Sequence, residues 1–142
     1  MPNLRETRFA DMLVGDSAEF SVALTEDLVA RFAELSGDIN PLHTEESFAK
    51  TTDFGGRIAH GMLGASFFSQ LVGVHLPGTY ALYLSQNLTF RSPMRIGQTL
   101  LVRGTVKQKV DALRVIKLET QVLDQESLLC LIDGEAIIKV LQ

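Results

Sequence analysis

Cysteine, tryptophan and surplus positive charge are what this sequence has least of. Its 142 residues include one cysteine and no tryptophan. One cysteine, Cys130, excludes an internal disulfide and any zinc site built on cysteines. Because Cys130 lies in the apolar run 128–132, we expect a buried and unreactive thiol.

The charge balance and the terminal segments narrow the choice of partners. The net charge is −4, which argues against a general nucleic-acid-binding surface, since that requires a basic face. The sequence begins without the apolar core of a secretory signal and contains no run long enough to span a membrane. We therefore expect an intracellular, cytoplasmic protein with no nucleic-acid or membrane partner.

The composition is typical of a globular protein. Hydrophobic residues make up 46% of the chain and charged residues 21%, and neither an internal repeat nor a linker interrupts it. A length of 142 residues suits one domain, which we predict over residues 1–142.

The hydrophobic pattern predicts an α+β fold that changes from helices to strands near residue 77. A strand over 18–24 precedes a helix that Thr25 caps and Gly37 ends, and a shorter helix follows over 45–51. Residues 59–73 are apolar around the whole circumference, which predicts a long central helix buried on all sides. Strands follow over 80–91, 99–110, 113–123 and 127–141.

The links between these last strands are short enough for hairpins, so they favour an antiparallel sheet. An apolar helix followed by such a sheet has a compact solution in which the sheet curls around the helix. The sheet then has a free edge and an incompletely covered face. Dimerisation would cover both, so we expect a homodimer.

Three polar residues follow the end of the first helix within one short loop. Asp38, Asn40 and His43 can converge because Pro41 fixes its own backbone and biases Asn40 toward an extended conformation. A carboxylate held near an imidazole suits acid–base chemistry at neutral pH. The alternative is ordinary turn chemistry, in which the Asp and Asn side chains bond to nearby backbone groups.

A second group of candidates marks the start of the central helix. The N–H of Gly61 could approach a substrate oxygen closely, unless this glycine only permits close packing. His60 beside it is more typical of a packed core histidine, and Ser69 could point toward the same site or bond to a helix carbonyl. A metal site of Asp38, His43 and His60 matches no standard spacing, so we predict none.

Taken together, these segments resemble the (R)-specific enoyl-CoA hydratases of the MaoC-like dehydratase group. The specific part is Asp-x-Asn-Pro-x-His at residues 38–43. Residues 58–63 resemble the start of that family's central helix, and residues 90–98 resemble its Phe-x-x-Pro-x-x-x-Gly-Asp element, with Gln98 in place of the acid. The resemblance covers nearly the whole chain.

The resemblance implies a hot-dog fold, a homodimer and a defined set of site residues. Asp38 and His43 would be catalytic, Gly61 would supply the oxyanion N–H, and Asn40 and Ser69 would support them. The reaction would be reversible hydration of trans-2-enoyl-CoA to (R)-3-hydroxyacyl-CoA, with no cofactor beyond the thioester substrate. Further candidate contacts are Arg57, Arg91 and Arg95 for the CoA phosphates, Phe68 and Val72 for the acyl tail, and His60.

Three other functions stay open at this point. Hot-dog proteins also include acyl-CoA thioesterases, in which water attacks the carbonyl carbon instead of the β carbon. A dehydratase acting on carrier-protein thioesters would use the same residues. A non-catalytic subunit that binds acyl thioesters would require neither Asp38 nor His43.

Overall fold

The computed structural model describes residues 2–142. Its α-helices are α1 (Glu26–Ser36), α2 (Pro41–Thr44), α3 (Glu46–Ala49), α4 (Gly61–Ser66) and α5 (Phe68–Gln70), and a π-helical turn, Leu71–His75, follows α5. Its strands are β1 (Ser17–Ala23), β2 (Ala81–Gln86), β3 (Thr89–Phe90), β4 (Thr99–Val110), β5 (Val115–Asp124) and β6 (Cys130–Val140). Short 3-10 turns occupy Phe9–Asp11 and Asp111–Leu113.

The six strands form one antiparallel sheet around the central helical segment. The strand order is β1-β4-β5-β6-β2, and β3 also pairs with β6. Helix α5 and the π-helical turn supply Phe68, Leu71 and Val72 to a core that includes Val102 of β4 and Ile132 of β6. The predicted α+β architecture, with a curled antiparallel sheet around a central helix, is confirmed.

The first helix forms where its end signals place it. The side chain of Thr25 accepts a hydrogen bond from the N–H of Leu28, and Glu26 and Asp27 lie in the first turn, where acidic groups favour a helix. Gly37 ends the helix with a φ of +78°, a left-handed conformation that other residues rarely adopt.

The central helix differs from the prediction in two ways. It is divided at Phe67 into α4 and α5, and it is not buried on all sides. Met62, Ser69 and Gly73 are exposed on the single chain. The apolar pattern had suggested burial around the whole circumference, whereas the sheet covers only part of it.

Other boundaries also differ from the prediction: the last two strands, predicted from residues 113 and 127, begin at Val115 and Cys130. The predicted helix over 45–51 is α3 alone, preceded by the unpredicted α2, for which Pro41 is the first residue and Asn40 the cap. The predicted strand over 80–91 is divided into β2 and β3. Asn87 interrupts it: its N–H donates to the carbonyl of Glu135, and its side-chain oxygen accepts from the N–H of Glu135.

Across residues 2–142, no helix combines the length and the apolar character that a membrane crossing requires.

Candidate active site

The loop between α1 and α2 is held by its own side chains. The N–H of Asp38 donates to Ser36 Oγ at 3.1 Å, and the N–H of Asn40 donates to Asp38 Oδ1 at 3.1 Å. Asn40 Oδ1 in turn accepts from the N–H of Leu42 at 2.9 Å. The turn chemistry weighed as an alternative is therefore present, and it leaves Asp38 Oδ2 available for another task.

His43 presents one ring nitrogen to that free oxygen. Its Nδ1 lies 2.8 Å from the carbonyl oxygen of Ile58; because a carbonyl only accepts, Nδ1 carries the hydrogen. The other nitrogen, Nε2, lies 4.0 Å from Asp38 Oδ2. This separation is too long for a direct hydrogen bond, but one water about 2.8 Å from each atom fits between them.

Gly61 lies beside His43 on the wall of one cavity. This cavity has a volume of about 380 Å³ and a mostly apolar lining: His43, Phe54, Ile58, Ala59, Gly61, Met62, Phe90, Arg91, Ser92, Pro93, Met94 and Ile132. Gly61 is the first residue of α4, where backbone N–H groups have no partner within the helix. The cavity thus joins an imidazole with a helix-terminal N–H.

Close packing requires a glycine at two positions of α4. A Cβ on Gly64 would lie 2.7 Å from Met94 Cε and 2.8 Å from Ile132 Cδ1, so Gly64 lets the helix approach the sheet. A Cβ on Gly61 would lie 2.7 Å from Cδ1 of Phe90, a ring that lines the cavity. Phe90, Met94 and Ile132 all line the cavity, so both glycines let α4 pack closely against its wall.

His60 is buried behind His43, with 1% of its surface exposed. The two rings stack with centroids 4.1 Å apart and planes at 30°. Asp38, His43 and His60 bring possible ligand atoms within 4.8 Å of one another. However, Nδ1 of His43 and Nε2 of His60 face backbone carbonyls, so neither can bind a metal. Because the rings stack, the lone pairs of the other two nitrogens lie side by side and do not converge on one point. The arrangement disfavours one shared metal ion, and metal-free catalysis stays a prediction.

Ser69 lies in a second groove, outside the cavity that His43 lines. The groove has a volume of about 360 Å³ and is lined by Phe32, Met62, Ala65, Ser66, Phe68, Ser69, Tyr83, Gln86 and Leu88. Burial raises the pKa of Tyr83 to about 12, and its hydroxyl donates to Gln86 Oε1. Phe68 and Val72 are both 1% exposed and belong to the core, but of the two only Phe68 is among the residues that line this groove. Met62 lines both the groove and the cavity.

The three candidate arginines lie in different settings. Arg57 is paired with Glu26 of α1 and Glu46 of α3, and its side chain is 19% exposed. Arg91 lines the cavity and pairs with Asp133 through Nε at 3.1 Å. Arg95 forms no ion pair with any residue from 2 to 142. Arg57 thus serves as a cross-link, while Arg91 and Arg95 keep more freedom to meet an anion.

Family membership follows from comparison with known proteins. Residues 11–127 match the family model described as the MaoC like domain. The chain belongs to the MaoC-like dehydratase family. Its hot-dog fold agrees with a solved structure, an R-hydratase of Pseudomonas aeruginosa in the unliganded form, with a TM-score of 0.91 and 35% identity over 96% of this chain and 87% of that one.

Two named relatives of this MaoC-like protein act on CoA thioesters. A 3-hydroxybutyryl-CoA dehydratase of Methylorubrum extorquens is 40% identical over 141 residues, which cover 99% of this chain and 88% of the relative. An (R)-specific enoyl-CoA hydratase of Aeromonas caviae is 41% identical over 131 residues, which cover 89% of this chain and 94% of the relative.

Some residues of the site were not anticipated from the sequence. Phe54, Met62 and Phe90 line the cavity, and the carbonyl of Ile58 fixes the His43 tautomer. Ile58, Met62 and Phe90 lie in segments that the resemblance had singled out, although none of them was given a role there. Phe54 lies in a loop with no recognisable pattern. The role of the Ile58 carbonyl could not be predicted, because every residue has a backbone carbonyl whatever its side chain.

Proposed function

We propose that this protein is an enzyme that hydrates trans-2-enoyl-CoA reversibly to (R)-3-hydroxyacyl-CoA. The main support is the pair formed by Asp38 Oδ2 and His43 Nε2, 4.0 Å apart, beside the cavity that Gly61 lines. This spacing suits a water that donates one hydrogen to each atom, since the carboxylate oxygen and the unprotonated Nε2 both accept. The activities named for the two relatives support the same reaction.

In the proposed reaction the held water adds to the β carbon of the enoyl thioester. Its oxygen forms the new C–O bond while one member of the pair takes its proton. The double-bond electrons move toward the thioester oxygen, where the N–H of Gly61 stabilises the negative charge. The enolate then collapses, and a proton returns to the α carbon. Asn40 contributes by capping α2, which fixes the position of His43.

The substrate would extend from the cavity in two directions. Arg91 and Arg95 are suited to the CoA phosphates, because the Arg91 side chain is 55% exposed and Arg95 forms no ion pair within residues 2–142. The Arg57 side chain is 19% exposed and pairs with both Glu26 and Glu46. The apolar acyl chain would enter the groove that contains Phe68 and Ser69. In this proposal Ser69 contacts the substrate in the groove. Val72 does not contact the substrate but packs in the core beneath the groove.

We also propose that the active form is a homodimer. Helix α1 and the loop after it leave Leu35 85% exposed and Ile39 74% exposed, and Met62 on α4 is 55% exposed. Apolar side chains of this size gain about 25 cal/mol for every Å² removed from water. A second copy of the chain would cover this face and close the two open cavities.

Fatty acid metabolism and a cytoplasmic location are parts of the same proposal, because acyl-CoA thioesters are its substrates. Cell fractionation with an antibody against the protein tests the location. Detection only in a membrane or an exported fraction would contradict it.

Crotonyl-CoA distinguishes this function from its alternatives. The hydratase should remove the enoyl absorbance without releasing free thiol, and in reverse should dehydrate (R)- but not (S)-3-hydroxybutyryl-CoA. Release of thiol would instead indicate a thioesterase. Faster turnover of a crotonyl carrier protein would indicate a carrier-protein dehydratase. Binding without turnover would indicate a non-catalytic subunit.

A further inference from the structure

His60 lies against both members of the proposed catalytic pair, yet cannot reach the substrate. It is 1% exposed and is not among the residues that line the cavity next to His43. The edge of Phe32 packs on one side, with ring centroids 5.0 Å apart and planes at 65°. The direct substrate contact predicted for His60 therefore has no support in this burial.

The contacts of His60 divide between the two catalytic residues. Its Nε2 lies 2.9 Å from the backbone carbonyl oxygen of Asp38, so Nε2 carries the hydrogen and donates. Its ring stacks on His43 at a centroid distance of 4.1 Å. One buried side chain thus contacts both residues: it bonds to the backbone of Asp38 and packs against the ring of His43.

The other ring nitrogen of His60, Nδ1, indicates that filling the core is not the only reason for a histidine at this position. Among the residues that the structure describes, His60 Nδ1 has no hydrogen-bond partner although it is buried. An unpaired buried polar atom is costly, and a phenylalanine would fill the space without that cost. The donor to Asp38 accounts for a histidine here, since phenylalanine cannot supply it.

We infer that His60 is a positioning residue that sets the spacing between Asp38 and His43. This inference rests on the proposed hydratase function. The Nε2–H anchors the loop at Asp38, and the stacked ring stops His43 from tilting toward the core. Together they hold Asp38 Oδ2 and His43 Nε2 at 4.0 Å, the separation that accommodates one water. A displacement of about 1 Å in such a pair can cost 10²-fold in rate.

Three substitutions separate the two contacts. His60→Gln keeps an N–H donor but loses the ring, His60→Phe keeps the ring but loses the donor, and His60→Ala loses both. We expect the kcat for crotonyl-CoA to fall by about 10²-fold in His60→Ala, with smaller losses in His60→Gln and His60→Phe. The KM should stay within about twofold, because His60 does not touch the substrate.

A matched control is His75, which also stacks on an aromatic ring. It lies over Phe20 with centroids 4.8 Å apart, outside the residues that line the cavity, and His75→Gln should keep its kcat. Thermal unfolding of each variant checks that the folded fraction is the same. Absence of turnover in the unmodified protein would refute the proposed function itself.

The inference is overturned separately if the unmodified protein is active and all three His60 variants keep its kcat. A rise in KM at constant kcat would also overturn it, because that result indicates a substrate contact. If none of the three variants folds, His60 serves the core and not the spacing of the pair, and the inference is again wrong.

Discussion

Replacing Gly61 with proline tests the oxyanion donor more directly than any larger side chain does. Proline has no N–H, and the first helical position tolerates it well because that N–H has no partner in the helix. The residue before a proline must be extended, and His60 already has φ −59° and ψ 129°. Gly61→Pro therefore removes one hydrogen-bond donor while it preserves the start of α4.

The matched control is Gly61→Ala, which adds a Cβ but keeps the N–H. That Cβ would lie 2.7 Å from Cδ1 of Phe90, and the same contact occurs in the proline variant. Because Phe90 is 51% exposed, its ring can move aside, so we expect the crowding to cost about 1 kcal/mol, at the low end for overpacking.

The loss of the donor should be larger than the crowding. Removing one oxyanion-hole hydrogen bond typically costs about 2.7–4 kcal/mol, or about 10²–10³-fold in kcat. The alanine variant bears only the crowding, so its kcat should exceed that of the proline variant by about that factor. The two melting temperatures should be similar.

Hydration of crotonyl-CoA, followed by loss of enoyl absorbance, measures both variants against the unmodified protein. Thermal unfolding of the same samples gives the folded fraction. Equal kcat values for the folded alanine and proline variants would refute the argument. Gly61 would then serve only to make room for Phe90, and the oxyanion donor would lie elsewhere.

Three other expectations test the catalytic pair, the exposed face and the buried phenol. Asp38→Asn and His43→Ala should each lower kcat by about 10²–10⁴-fold with little change in melting temperature; near-normal turnover would contradict the assignment. Leu35→Glu should dissociate the dimer in sedimentation, whereas Leu113→Glu, at a 62% exposed position of the hairpin between β4 and β5, should not; a monomeric but fully active unmodified protein would contradict the dimer. Burial raises the pKa of Tyr83 from 10.0 to about 12. As the pH rises, the phenol therefore ionises in the unfolded chain before it ionises in the folded protein. The free energy of unfolding should therefore fall as pH rises from about 10 to 12, and Tyr83→Phe should lessen that fall.

Much of the fold could be predicted because local signals and tertiary packing agree. Thr25 and Gly37 bound α1 through a side-chain cap and a left-handed residue, and both are visible as residue types. The predicted strand over 99–110 matches β4, where buried and partly exposed positions alternate from Val102 to Val106. The short link at residues 111–114 fixes the antiparallel pairing of β4 with β5.

The geometry of the site could be predicted only in part. The loop chemistry of Asp38 allows two interpretations in sequence, and the structure combines them, since Oδ1 serves the turn and Oδ2 faces His43. The sequence could not indicate that His60 stacks behind His43, because 17 positions separate them and no periodicity links α2 to the residue that caps α4. The contact between His43 and the carbonyl of Ile58 could not be predicted either, because it depends on the backbone and not on a side chain.

The error over the central helix points to the quaternary structure. A helix that is apolar all round predicts burial on every side, but the pattern does not say which chain supplies the cover. The sheet covers the face that includes Leu71 and Val72, whereas Met62 stays exposed between the cavity beside His43 and the groove of Ser69. Burial of that remaining face by a second copy would close both openings at once. The apolar surface that drives pairing would then also form a wall of the acyl site, so we expect dissociated chains to lose hydration activity even while folded.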